Sequence, residues 1–334
     1  MLSRVAQRMY WLGRHVERAE NTARILDVNH RMSLELAYFS DLDVWSPMLA
    51  ITRSKQCFET LYNDISEKNI YEFFLLSTEN PNSVLSCIAK CREEARVMRE
   101  RISEEMWEHL NRVYLEIQSI TLQNVMGLKS STFHLRIKMF CNAFHGLADN
   151  TMVHDQSWEF LLLGRLIERA LMTSRILEIK YHLLLPDVNE VGKPLDLHQW
   201  QALLRSASAF EAYRHLYKAK IVPAQVIRLL LLNPHFPRSV HYCMRGIHAA
   251  LCGIGASNED QYGLYRSVEI CLDDLRGGQI ERQLTETSLK QNIERTMERC
   301  MEVDRQLHHC YFEMLSAIDE SGQEHKMSVQ QPQQ

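Results

Sequence analysis

The chain has 334 residues, 46% of them hydrophobic and 24% charged, a balance that excludes disorder for most of its length and allows a large core. Its 38 Lys and Arg against 42 Asp and Glu leave a formal charge of −4, so no overall field attracts nucleic acid and a polyanion would need a local basic patch. Twelve Gly, eight Pro and no sustained alternating stretch exclude a sheet protein and predict an all-α fold.

In chain order, the first helix is expected from about Leu2 to the mid-thirties, with Val5, Met9, Leu12, Val16, Ala19, Ala23 and Leu26 forming a seam at three- and four-residue steps. A turn over Asp41 to Pro47 leads to a helix around Trp45, and Asn80-Pro81-Asn82-Ser83 reads as a loop whose Ser83 caps the next helix. Helices are expected at about 84–100, 103–125 and 131–148. Another spans about 157–183, with breaks at Pro186 and Gly192-Lys193-Pro194, helix again after Asp196, and a sharp break at Asn233-Pro234-His235-Phe236-Pro237. The last long helix runs from about Thr285 to Ile318, and the polar tail, residues 321–334, has the composition of a disordered segment.

The chain repeats itself. Leu12 to Leu26 (LGRHVERAENTARIL) and Leu163 to Leu177 (LGRLIERALMTSRIL) agree at ten of fifteen positions without a gap, at an offset of 151 residues (163 − 12). The match continues: Asp41, Leu42, Trp45 and Leu49 with Asp196, Leu197, Trp200 and Leu204, then Asn80-Pro81, Ser83-Val84 and Cys87 with Asn233-Pro234, Ser239-Val240 and Cys243. This predicts a tandem duplication of a helical unit of about 150 residues, repeat one over 1–150 and repeat two over 151–320, forming one pseudo-twofold bundle.

On the first helix, Tyr10, Arg14, Glu17, Arg18, Asn21 and Arg24 lie opposite the seam, which alone suits a solvated face. On its copy, the same face carries Leu161, Leu162, Met172 and Ile176 around Arg165, Glu168 and Arg169, so that helix is apolar nearly all round and its charges must be buried and paired. By equivalence Arg14, Glu17, Arg18 and Arg24, with Arg165, Glu168, Arg169 and Arg175, form interior clusters. Two readings stay open: an ion-pair network that fixes the two halves, or a ligand or active site in which Arg forks hold an anion and Glu17 or Glu168 is the general base.

The segments YWLGRHVERAENTAR, its copy, CREEARVMRERISEEMWEHLN, FHGLADNTM, WQALLRSASAFEAY and NPHFPRSVHYC closely resemble the bacterial alpha-E family, over about residues 1–316. The chain departs from the family at His15, and at Cys91 to Arg96, where the family more often shows Ala-Arg-Glu-Asn-Ala-Arg. The resemblance implies an all-helical domain encoded beside, or fused to, circularly permuted ATP-grasp ligases and often near transglutaminase-like cysteine peptidases. It therefore implies a part in ATP-dependent amide-bond formation, such as synthesis or tagging of a small peptide, with an ATP-grasp protein as partner. An independent enzyme of amide or acyl chemistry and a non-catalytic scaffold or oligomerisation module are the alternatives, and a homo-oligomer fits the last.

Secondary anion-binding candidates are the stripe Arg92, Arg96 and Arg99, set against a salt-bridged surface face with Glu93, Glu94 and Glu100, and Arg238-Ser239, set against simple helix capping. Fifteen His without a ligand-spaced motif argue against a metal, and the absence of Walker A, GxGxxG and G-x-S-x-G sequences argues against ATP or another cofactor held by a known loop. Nine scattered Cys without a CxxC pair suit reduced core thiols in a cytoplasmic protein. No apolar run has the length of a membrane span. The basic, amphipathic start with Arg4, Arg8, Arg14 and Arg18 has the composition of a transit peptide, but its internal copy marks it as structure.

Overall fold

The computed structural model describes residues 3–35, 41–126, 130–182, 194–218, 220–276 and 286–313, and no strand occurs among them. The first half comprises α1 (Ser3–Glu35), α2 (Asp41–Ile51), α3 (Lys55–Leu61), α4 (Glu67–Tyr71) running into a π turn (Glu72–Leu76), α5 (Val84–Val97), α6 (Glu104–Gln118), α7 (Leu122–Val125) and α8 (Ser130–Thr151). The second comprises α9 (Gln156–His182), α10 (Pro194–Ser206), α11 (Phe210–Tyr217), α12 (Pro223–Ile227) with a π turn (Arg228–Leu232), α13 (Val240–Ile254), α14 (Glu259–Arg276) and α15 (Glu286–Tyr311). None of the helices among the described residues is long and apolar enough to cross a membrane.

The seam of α1 is where its periodicity predicts: Met9, Leu12, Val16, Ala19, Ala23 and Leu26 are fully buried. The opposite face is buried too, with Tyr10, Arg14, Glu17 and Asn21 all at 5% exposure or less. Both faces are covered because α1 is the hub of its half, packed on α5 and α8, while α9 holds the same place between α13 and α15. The two hubs lie side by side and run in the same direction, since Tyr10 meets Gly164, Gly13 meets Leu161 and Arg165, and Arg18 meets Glu168. Their backbones come together at Gly13 and Gly164. A Cβ on Gly13 would fall on the Leu161 carbonyl oxygen, and one on Gly164 on the Tyr10 carbonyl oxygen, so only glycine permits this approach.

Capping chemistry sets several boundaries. Ser83 accepts from Ser86 N at 3.0 Å and opens α5, and Ser239 does the same for α13 with Tyr242 N at 3.0 Å. The helix expected over 103–125 is two helices, because Ser119 ends α6 and a capping box between Thr121 and Asn124 starts α7. The helix expected over 84–100 stops at Val97. The turn expected over Asp41 to Pro47 is helical as well: Pro47 forgoes a backbone hydrogen bond, while burial of Val44, Trp45, Met48 and Leu49 holds the helix together. Helix resumes at Pro194, ahead of Asp196, with proline in the first turn, where its missing N–H costs nothing. Pro186, Gly192, Lys193, Thr285, Ile318 and the tail 321–334 lie outside the described residues.

Gly13→Ala and Gly164→Ala should each destabilise the protein by about 1–3 kcal/mol or more, because the hub helices must separate. Gly146→Ala, on α8 with no atom within 4 Å of the added methyl, should be stabilising by roughly 0.5–1 kcal/mol. Urea unfolding of the three variants checks both signs.

Candidate functional site

Where α1 and α9 meet, each helix neutralises the other's glutamate. Arg18 grips Glu168 with Nε and Nη2, both at 2.8 Å, and Arg169 grips Glu17 with the same two atoms at 3.0 and 2.7 Å. Each is a bidentate guanidinium–carboxylate fork, the arrangement in which geometry and charge reinforce one another. Glu17 and Glu168 are 0% and 2% exposed. The Arg14 to Glu17 pair that three-residue spacing offers on α1 does not form, because Arg14 turns its Nε to Glu168 at 2.8 Å.

A second tier surrounds the forks. Arg14 Nη1 also binds Asp304 on α15 at 2.7 and 2.9 Å and donates to the Tyr10 hydroxyl at 2.9 Å, and that hydroxyl donates in turn to Asp304. Arg165, at the position equivalent to Arg14, instead reaches Asp149 at the end of α8 at 3.3 Å. The two loops that follow the π turns add one side chain each. Asn82 accepts from Arg18 at 2.9 Å, while Arg238 inserts between Glu17 at 2.9 Å, Asn21 at 3.0 Å and Glu20 at 2.5 Å. Arg24 completes this side by pairing with Glu20. Arg175 sits at the position equivalent to Arg24 and, among the described residues, makes no hydrogen bond or ion pair.

Burial alone would raise the carboxyl pKa values, but Arg169 and Arg238 around Glu17, and Arg18 and Arg14 around Glu168, outweigh it and hold both well below the usual range. A group held so firmly as a carboxylate is a weak proton acceptor, and each of the two already accepts three guanidinium N–H bonds. Glu17 and Glu168 therefore fit a structural clamp far better than a general base. Glu17, Glu20 and His145 have ligand atoms within 4.8 Å of one another, close enough for a metal ion. A cation there would face Arg169, Arg238 and Arg24, which already neutralise the two carboxylates, so the donor set does not suit one.

The outlying candidates are not drawn together with the forks. Arg92 binds Asn111 and lies over Tyr114 and Trp107, Arg96 pairs with Glu93, and Arg99 lies over Trp107, which makes a salt-bridged, aromatic-backed outer face. Ser239 is a helix cap and donates to the Asn233 carbonyl. Arg238 belongs to the central cluster, while Glu20, His145, Asn82 and Asp304 are members that the sequence reading did not single out. The alignment of the Asn-Pro loops was the available signal for Asn82, since it stands opposite Arg238.

Glu17→Gln or Glu168→Gln leaves buried arginines without a counter-charge and should cost about 3–5 kcal/mol. Acid should act in the same direction. The folded pKa values of both Glu lie below the unfolded value of about 4.3, so their contribution is present above that pH and is lost as pH falls below it. His145, pushed down by burial, and His15, pushed down by burial to about 3, add a loss that begins near pH 6.5. Thermal unfolding between pH 7 and 3 should show stability falling throughout, less steeply in Glu168→Gln.

An uncharacterized protein of Mycobacterium bovis and another of Mycobacterium tuberculosis are each 23% identical to this chain over 273 residues. The matches cover 76% of this chain and 30% of each relative, so the chain spans under a third of the length of these curated relatives. No solved structure gives a significant match. The family model Alpha-E, described as a predicted alpha-helical domain with a conserved ER motif, matches residues 1–312, and Glu17-Arg18 and Glu168-Arg169 are Glu-Arg pairs whose members exchange partners across the helix contact; the chain belongs to the Alpha-E family.

Proposed function

We propose that this chain is a non-catalytic helical partner of an ATP-grasp-dependent amide-bond-forming system, one that makes or tags a small peptide, and that it does not itself bind ATP. The observation that carries this reading is the state of the two central glutamates: buried, gripped by forks and held ionised, they are spent on joining helices and are unsuited to proton transfer. That favours a partner over an independent amide or acyl enzyme. The mycobacterial relatives agree with a module that works beside something else, since the matched stretch is 30% of their length. Nine free cysteines, seven of them buried, suit the cytoplasm.

The same reading takes the halves as copies of one unit, residues 1–150 and 151–320, about an approximate twofold between α1 and α9. It is supported by the 151-residue repeat, the matching helix order, the paired π turns and the reciprocal glycine contacts.

Affinity purification of the tagged chain at native expression from its own cells, with mass spectrometry, tests the partnership. An ATP-grasp protein recovered in stoichiometric amount is the expected result. Recovery of the chain alone across growth conditions sinks it, and amide-forming turnover by the isolated chain would restore the enzyme alternative.

A further inference from the structure

The two hub helices differ at one telling pair of positions. Arg24 is answered four residues earlier by Glu20, whose Oε1 also takes Arg238. At the equivalent positions Arg175 has Leu171 four residues earlier, and the loop residue equivalent to Arg238 is Asn82. One half thus supplies a carboxylate and a second arginine to its cluster. The other supplies neither and leaves the guanidinium of Arg175 unanswered.

Arg175 is mostly buried and its Nε is shut off from water without an acceptor. Its charged neighbours are Glu168, Arg53, Arg18 and Arg14. Glu168 accepts three hydrogen bonds from Arg18 and Arg14 and none from Arg175. Asp304 is likewise taken by Arg14 and Tyr10. Arg53, 47% exposed and held at a left-handed φ of 53°, stands at the outer side of the group, with Nη2 3.9 Å from Glu178 and close to the sulfurs of Met297 and Met301. An Nε cut off from water without an acceptor is costly, and three further arginines nearby add repulsion. An anion arriving from outside would relieve both.

We infer that Arg175 and Arg18, with the more exposed Arg53 beside them, form a binding position for the carboxylate of a small organic acid, which would answer the Arg175 guanidinium as Glu20 answers Arg24. Glu20 is the built-in template: a carboxylate paired with the equivalent arginine. The planar fork of Arg175 suits bidentate recognition of such a group. The inference uses the equivalence of the two helices and not the ligase partnership, so each can fail alone.

The test is calorimetric titration of the full chain with glutarate, acetate and inorganic phosphate, together with thermal unfolding of Arg175→Met, Leu171→Glu and Arg24→Met. Glutarate or acetate should bind saturably, and Arg175→Met should weaken that binding by about tenfold or more. Without ligand, Arg175→Met should unfold no lower than the parent, because it removes an unpaired charge, whereas Arg24→Met breaks a pair and should unfold lower. Leu171→Glu installs the missing carboxylate and should abolish binding; if it does not fold, the Arg175→Met comparisons decide. The inference is overturned if Arg175→Met is destabilised as much as Arg24→Met or leaves binding unchanged. It is equally overturned if phosphate binds more tightly than either carboxylate, or if no carboxylate binds up to about 10 mM.

Discussion

The exchange of glutamates between α1 and α9 is the interaction on which the rest of the molecule depends. A carboxylate at 0% exposure is tolerable only if its charge is met at hydrogen-bond distance, and here the group that meets it comes from the other half of the chain. The forks can close only if the helices lie side by side in parallel and nearly touch, which Gly13 and Gly164 permit. Once this pair is fixed, α5 and α8 pack on one hub and α13 and α15 on the other. The apolar seams supply the driving force and the forks specify the register.

Around this shared centre the two halves differ in their polar detail. One side of the contact is filled by Arg238, Glu20, Asn21 and Arg24, while the other has Asn82, Leu171, Met172 and Arg175 at the corresponding places. The differences lie in the loop residues Asn82 and Arg238 and in the hub residues Glu20, Asn21, Leu171 and Met172, whereas the glycines and the Glu-Arg pairs recur in both. Residues at the direct contact of the two helices serve both halves, and the others serve one.

Much of this was legible in the sequence. The seam of α1 gave its period, and the apolar far face of the second copy showed that Arg165, Glu168 and Arg169 could not be solvated. The polarity of the same face on α1 pointed the other way, and only the repeat brought it inside. The partners of these residues were not legible. Asp304 lies 290 residues from Arg14, and Arg238 lies 221 from Glu17, distances at which no periodic pattern links two side chains. The π turns were equally hidden, because a widened turn, here with Phe73 and Leu229 buried in it, leaves no mark in the pattern of apolar residues. Pro47 misled for a similar reason: its local preference for a turn yielded to the burial of Trp45.

The crossed partnership also dictates an order of events during synthesis. Glu17 leaves the ribosome well before its fork can close, since Arg169 is made 152 positions later, and Arg18 waits 150 positions for Glu168. Through that interval α1 carries ionised groups that have no place in a dry interior, so the first hub has to remain hydrated and the early helices cannot settle into their final packing around it. The emergence of α9 supplies both fork partners, and Arg238 and Asp304 follow further along the chain. Contacts this distant in sequence make folding slow to begin and cooperative once begun, and the nascent first half is then an unfinished surface whose completion is encoded further along the same message.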